Sequence, residues 1–180
     1  MAKRSSVIDP ADGKKRCGWA ATDPILAAYH DKEWGKAIPT DAGHLQRIAS
    51  EIFQCGLSWK IVLVKMPAMK LHFHDFEIEK VARMTAKNVT KLCENPAMIR
   101  NARKIEATIH NAKVMRDLAA ENGSYVKWLK SLPAKSPDEV AALYKLFKKT
   151  FKFMGPETTK CYFMGCGKIP PDHEPKCWMA

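Results

Sequence analysis

The sequence has no apolar run near the about 18–20 residues that a membrane-spanning helix needs. Its basic first sixteen residues lack the apolar stretch of a secretory leader, which predicts a cytoplasmic protein. Past Arg16 there is no Gly/Ser/Pro-rich linker, no internal repeat and no tract of like charge. Collagen-like, low-complexity and disordered chains are thereby excluded. No stretch alternates with a period of two for long enough to argue for a sheet. Acidic residues are scarce: 19 Asp+Glu face 30 Lys+Arg, a formal charge of +11. That imbalance favours a polyanionic partner, of which nucleic acid is the commonest. Six cysteines without any sign of an oxidising compartment suggest reduced thiols, some buried and some able to bind metal.

What is present describes a folded domain. The chain has 180 residues, 46% hydrophobic and 27% charged, enough to bury a core unaided as one domain or two small lobes. Residues 1–15 are of low hydrophobicity and are expected to form a mobile extension, with 16–180 as the folded domain. The rest predicts an all-α protein. Asp23 caps a first helix with Pro24 at its first position. Thr40-Asp41 open a second, in which Leu45, Ile48, Ala49, Ile52 and Phe53 recur at helical spacing until Gly56. Ser58 starts a third, through Val64 and before Pro67. Thr85 caps a short helix to about Cys93, broken by Asn95-Pro96. A long helix spans roughly 97–121, ended by Asn122-Gly123. Ser136-Pro137-Asp138-Glu139 is a capping box, opening a helix to about Lys149. Gly155-Pro156-Glu157 opens the last. The tail from Pro170, with three prolines, is an extended loop.

Three groups of residues carry candidate chemistry. Cys17 and His30 near the start, with His173 and Cys177 at the end, are four potential ligands of a structural zinc. By spacing alone, Cys161 and Cys166 compete for that role, and the histidines could equally be solvated. Trp19, Tyr29, Trp34 and Trp59 cluster beside turns, where they serve either as core or as a flat wall for a flat ligand. Glu51, on the second helix, is either a carboxylate for that ligand or the partner of Arg47 one turn earlier. Finally, the hairpin around Asn95-Pro96 leads into Ile99, Arg100, Arg103 and Lys104. That is either a plain helical hairpin or a phosphate grip, with Lys145, Lys148, Lys149 and Lys152 adding positive charge.

These residues together resemble the bacterial DNA-3-methyladenine glycosylase I family, a branch of the helix–hairpin–helix DNA glycosylases. Arg16-Cys17-Gly18-Trp19 with Asp23-Pro24 is similar to the family's opening. Ala28-Tyr29-His30-Asp31 with Glu33-Trp34-Gly35 is similar to its second signature. Glu51 to Trp59 fits its E-x-x-Q-x-G-L-S-W segment, and Lys152 to Pro156, Phe163-Met164 and Asp172-His173 with Cys177 fit its C-terminal third. The resemblance implies a helix–hairpin–helix fold of two helical lobes, with one structural zinc on Cys17, His30, His173 and Cys177 clipping the ends together. It implies a base pocket of Trp19, Tyr29, Trp34, Glu51 and Trp59, with Glu51 and Tyr29 catalytic. It puts Gly56 and Leu57 on the loop that probes the duplex, beside DNA contacts at Ile99, Arg100, Arg103 and Lys104. The implied activity is hydrolytic removal of 3-methyladenine from double-stranded alkylated DNA by a monomer, without strand cleavage. No Asp lies between Asp75 and Asp117 to serve as the catalytic Asp that many helix–hairpin–helix glycosylases carry. A DNA-binding module without activity and a hydrolase using its zinc directly are the competing classes.

Overall fold

The computed structural model describes residues 6–9 and 11–180. Helices build most of it: α1 (Pro24–Lys32), α2 (Asp41–Gln54), α3 (Trp59–His72), α4 (Ile78–Ala82) and α5 (Ala86–Glu94), then α6 (Ala102–Asn122), α7 (Tyr125–Ser131), α8 (Pro137–Thr150) and α9 (Pro156–Gly165). Among the described residues no helix is long and apolar enough to cross a membrane.

The caps follow the sequence. Asp23 accepts from Ile25 N at 2.9 Å and Leu26 N at 3.2 Å to start α1. Ser136 and Glu139 close a reciprocal capping box at the start of α8. In α2 the apolar stripe of Leu45, Ile48, Ala49, Ile52 and Phe53 is fully buried. This helix lies at the centre, packed on α3, α6 and α9.

Several elements differ from expectation. Helix α3 continues through Pro67 to His72. Pro67 is exposed, and buried Val62 and Met69 anchor the helix on either side, so one missing N–H bond does not end it. Helix α6 starts at Ala102, not near 97. Asn95 first accepts from Ala97 N at 2.9 Å, Met98 folds into the core, and Asn101 caps the helix by accepting from Lys104 N at 3.2 Å. Helices α4 and α7, and a 3-10 turn at His74–Phe76, fall where no helix was expected.

The fold is also not purely helical. Strands β1 (Val7–Ile8) and β2 (Lys15–Arg16) pair antiparallel, with Val7 opposite Arg16. Most of the expected extension is thus attached rather than free, while residues 1–5 and 10 lie outside the described residues. The Arg16 guanidinium, nearly buried, meets Asp9 at 2.8 Å, Asp12 at 2.6 Å and Asp31 at 2.7 Å. Ser6 Oγ donates to Pro175 O at 2.6 Å and Trp178 N to Lys15 O at 2.8 Å, so the hairpin lies against the C-terminal tail. That tail, 170–180, contains no helix or strand, as its prolines dictate.

Candidate functional site

A cavity of about 370 Å³ opens between the first turns of the chain, α2, α3 and α9. Its wall is aromatic. Trp19 comes from the turn before α1, Tyr29 from α1 itself, Trp34 from the turn after it and Trp59 from the first position of α3. Trp19 meets Trp34 edge-on at 5.3 Å between ring centroids, and Tyr29 lies 5.0 Å from Trp59. Gln54, Cys161 and Met164 complete the lining.

Glu51 is the carboxylate of this cavity. It is 7% exposed. Among the described residues its carboxylate has neither a hydrogen-bond nor an ion-pair partner, so the expected alternative of an Arg47 pair is not formed. Arg47 instead donates to the Tyr29 hydroxyl. Burial raises the Glu51 carboxyl from 4.5 to about 7, against the opposing pull of Arg47. Burial likewise pushes the Tyr29 phenol well up, so it is a neutral O–H at physiological pH. Trp59 Nε1 is buried with no partner among the described residues. The site therefore holds polar groups that the protein itself does not satisfy, which is how ligand pockets differ from cores.

The turn that follows α2 is braced from two sides. Gln54 Nε2 donates to Leu57 O at 3.2 Å and Leu57 N to Gln54 O at 2.7 Å. Gly56, exposed, has φ +80, a conformation L side chains rarely adopt. Lys104 differs from its expected role as a phosphate contact. It is 7% exposed, and its ammonium donates to Phe53 O at 2.9 Å and to Cys55 O, holding the C-terminal carbonyls of α2. Burial lowers its pKa. Arg100 and Arg103 stay exposed, Leu57 and Ile99 are half-buried, and Lys145, Lys148, Lys149 and Lys152 are exposed on or beside α8.

Cys17, His30, His173 and Cys177 come together with all ligand atoms within 4.8 Å of one another. Cys177 Sγ lies 3.4 Å from His30 Nε2 and 3.7 Å from His173 Nδ1, and Cys17 Sγ lies 3.7 Å from His173 Nδ1. A tetrahedron with Zn–S about 2.3 Å and Zn–N about 2.0–2.1 Å has S–N edges of about 3.6 Å, so the donor set fits a metal ion. His30 turns its other nitrogen to Asp31 at 2.8 Å, the carboxylate support typical of ligating histidines. Cys161 and Cys166 stand apart, one lining the cavity and the other bonded to Phe163 O.

Sequence reasoning missed Arg47, Gln54, Cys161 and Met164 as parts of the site. Arg47 carried a signal, one turn before Glu51, but it was weighed only as that residue's partner.

An aromatic cavity holding a carboxylate with no partner among the described residues, in a helical protein of net positive charge, is a setting that suits a flat, cationic or nucleobase-like ligand. The sequence profile of the methyladenine glycosylase family matches residues 19–180, and the chain belongs to that family, a class of N-glycosidic bond hydrolases. It is 35% identical over 182 residues to DNA-3-methyladenine glycosylase 1 of Escherichia coli, covering 91% of this chain and 95% of that protein. It is 34% identical over 178 residues to the DNA-3-methyladenine glycosylase of Haemophilus influenzae, covering 90% and 96%. The fold superposes on 3-methyladenine DNA glycosylase I of Staphylococcus aureus with a TM-score of 0.80 at 29% identity, over 91% of this chain and 95% of the other.

Proposed function

We propose that this protein removes 3-methyladenine from alkylated double-stranded DNA by hydrolysing the N-glycosidic bond, in base-excision repair. The observation that carries the reading is Glu51, a carboxylate buried against an aromatic wall with no partner among the described residues. The target base lies inside a duplex, so the enzyme flips the nucleotide out to reach it. Methylation at N3 makes the purine cationic and a good leaving group, so the site needs no strong acid. Trp19, Tyr29, Trp34 and Trp59 hold the flat base by stacking and cation–π attraction. Glu51 accepts a hydrogen bond from the base and, ionised beside it, stabilises its charge in a low-dielectric cavity. Water is the nucleophile. Gly56 and Leu57 probe the duplex at the gap the base leaves, while Ile99, Arg100 and Arg103 approach the backbone. Among the described residues no lysine lines the cavity, which supports a monofunctional enzyme acting without a Schiff base.

The Cys17, His30, His173 and Cys177 cluster would hold one zinc ion, which neutralises the thiolates and crosslinks the two ends of the chain. Four protein ligands fill a tetrahedral shell, so this site is structural. The protein acts in the cytoplasm as a monomer.

The test is base release from methylated duplex DNA by wild type and Glu51→Gln, with free bases resolved by chromatography and strands by denaturing gel. Wild type is expected to release 3-methyladenine and leave the strand unbroken, and Glu51→Gln to be at least about tenfold slower with its fold intact. No release by folded, metal-loaded wild type would replace the enzyme with a DNA-binding module. A wild-type rate in Glu51→Gln would remove that residue from the mechanism.

A further inference from the structure

We propose that Arg47 is a positioning residue of the base pocket, fixing the Tyr29 hydroxyl as a hydrogen-bond donor toward the base from behind the Tyr29–Trp59 wall. This rests on the reading that the pocket takes an alkylated purine. Arg47 is 7% exposed and does not line the cavity of Glu51. It lines a second cavity, of about 570 Å³, that shares Tyr29 and Trp59 with the first. Its guanidinium carbon lies 4.9 Å from the Tyr29 ring centroid and 5.9 Å from that of Trp59. One of its N–H groups donates to the Tyr29 hydroxyl.

A guanidinium has donors only, so the direction of that bond is fixed by chemistry. The Tyr29 oxygen accepts from Arg47, and its own proton must point elsewhere. Because burial keeps the phenol neutral, that proton is always present. With Glu51 ionised, the pocket then offers the carboxylate as acceptor and the Tyr29 hydroxyl as donor, with Trp59 Nε1 as a further donor. Adenine presents an amine donor at N6 beside an acceptor at N7, whereas guanine presents two acceptors there. The polarity that Arg47 imposes therefore favours adenine over guanine.

The energetics argue that Arg47 is not there for packing. Its nearest carboxylate oxygen is Glu33 Oε2 at 3.9 Å, on a side chain 56% exposed. A buried cation so loosely paired is costly, and an apolar side chain of the same volume would serve a core better. The fold also makes room for it. A Cβ at Gly165, the last residue of α9, would stand 3.3 Å from Arg47 Cδ and 3.5 Å from Glu51 Oε1, so both side chains converge over a residue that has none.

The experiment compares Arg47→Met, Tyr29→Phe and the double variant in single-turnover release of 3-methyladenine, per folded molecule, with a thermal melt of each. Both single variants are expected to be at least about tenfold slower, and the double no more than about twofold slower than Tyr29→Phe. The melting temperature of Arg47→Met is expected to equal or exceed that of wild type. Arg47→Lys, which keeps a donor of similar reach, is expected within about threefold of wild type, and provides the test if the Met variant folds poorly. The preference for 3-methyladenine over 3-methylguanine should narrow in Arg47→Met. Losses that multiply in the double variant, a wild-type rate in Arg47→Met or a Lys variant as slow as the Met variant would overturn the proposal. Wild type releasing no methylated base would instead overturn the function it rests on.

Discussion

Glu51 shows how one side chain can be placed against its own stability. Its carboxyl keeps its proton in the folded protein to about pH 7, whereas an ordinary glutamate loses it near 4.5. Between those values the unfolded chain binds fewer protons than the folded one, so stability falls as pH rises through the window. Glutamine does not titrate. Glu51→Gln is therefore expected to be more stable than wild type at pH 8 by on the order of 1–3 kcal/mol, with the difference shrinking toward pH 4.5. Urea unfolding of both proteins at the two pH values checks this. A difference independent of pH would mean that the carboxyl is solvated. The sequence offered Glu51 and Arg47 one turn apart, a spacing that more often makes a surface ion pair. In the fold Arg47 turns to the Tyr29 hydroxyl instead, and no helical period could reveal that.

At the scale of elements, the joint between α2 and α6 matters most. The Lys104 ammonium ties the start of α6 to the last carbonyls of α2, immediately before the Gly56-Leu57 turn. The hairpin that leads into α6 and the Gly56-Leu57 turn, proposed above to probe the duplex, are thus tied together. Lys104→Met is expected to keep binding of free 3-methyladenine while slowing excision from duplex DNA by about tenfold, because the pocket is intact and the turn is not. Fluorescence titration with the free base, beside single-turnover excision, separates the two. Equal loss in both assays would make Lys104 a general scaffold residue.

The elements that sequence made plain are those with chemical punctuation: Asp23-Pro24, Thr40-Asp41, Ser136 with Glu139, Gly155-Pro156. Those it hid are short. Helix α4 spans five residues and α7 seven, too few turns for a period to show, and both owe their form to tertiary burial of Val81, Tyr125 and Leu129. The two-residue strands were likewise beyond any alternating pattern. Arg16 holds them by gathering Asp9, Asp12 and Asp31, a contact set visible only once the ends meet.

Across the whole molecule, the first described residues and the C-terminal segment converge on one side of the pocket. The metal-fit cluster shares rings with it: His173 lies 4.7 Å from Trp34, and His30 lies 5.4 Å from Trp19. A change at the cluster should reach the wall. Cys177→Ser is expected to lose bound zinc and to lower the melting temperature by roughly 5–10 °C, as loss of a structural ligand does in a domain of this size. Elemental analysis and a thermal melt test it, and unchanged metal content would place the ion elsewhere. If the ion is structural, as proposed, activity after mild chelation is expected to fall in step with the folded fraction, not ahead of it.

The convergence of the ends also sets when a newly made chain becomes competent. Trp19 and Tyr29 leave the ribosome early, but His173 and Cys177, whose cluster packs behind them, are made much later. Synthesis runs from the first residue to the last, so a nascent chain that has not reached Cys177 holds Glu51 and every aromatic residue of the pocket without the full four-residue cluster that packs against Trp19 and Trp34. Order in the aromatic wall is thereby tied to residues that are made long after the wall itself.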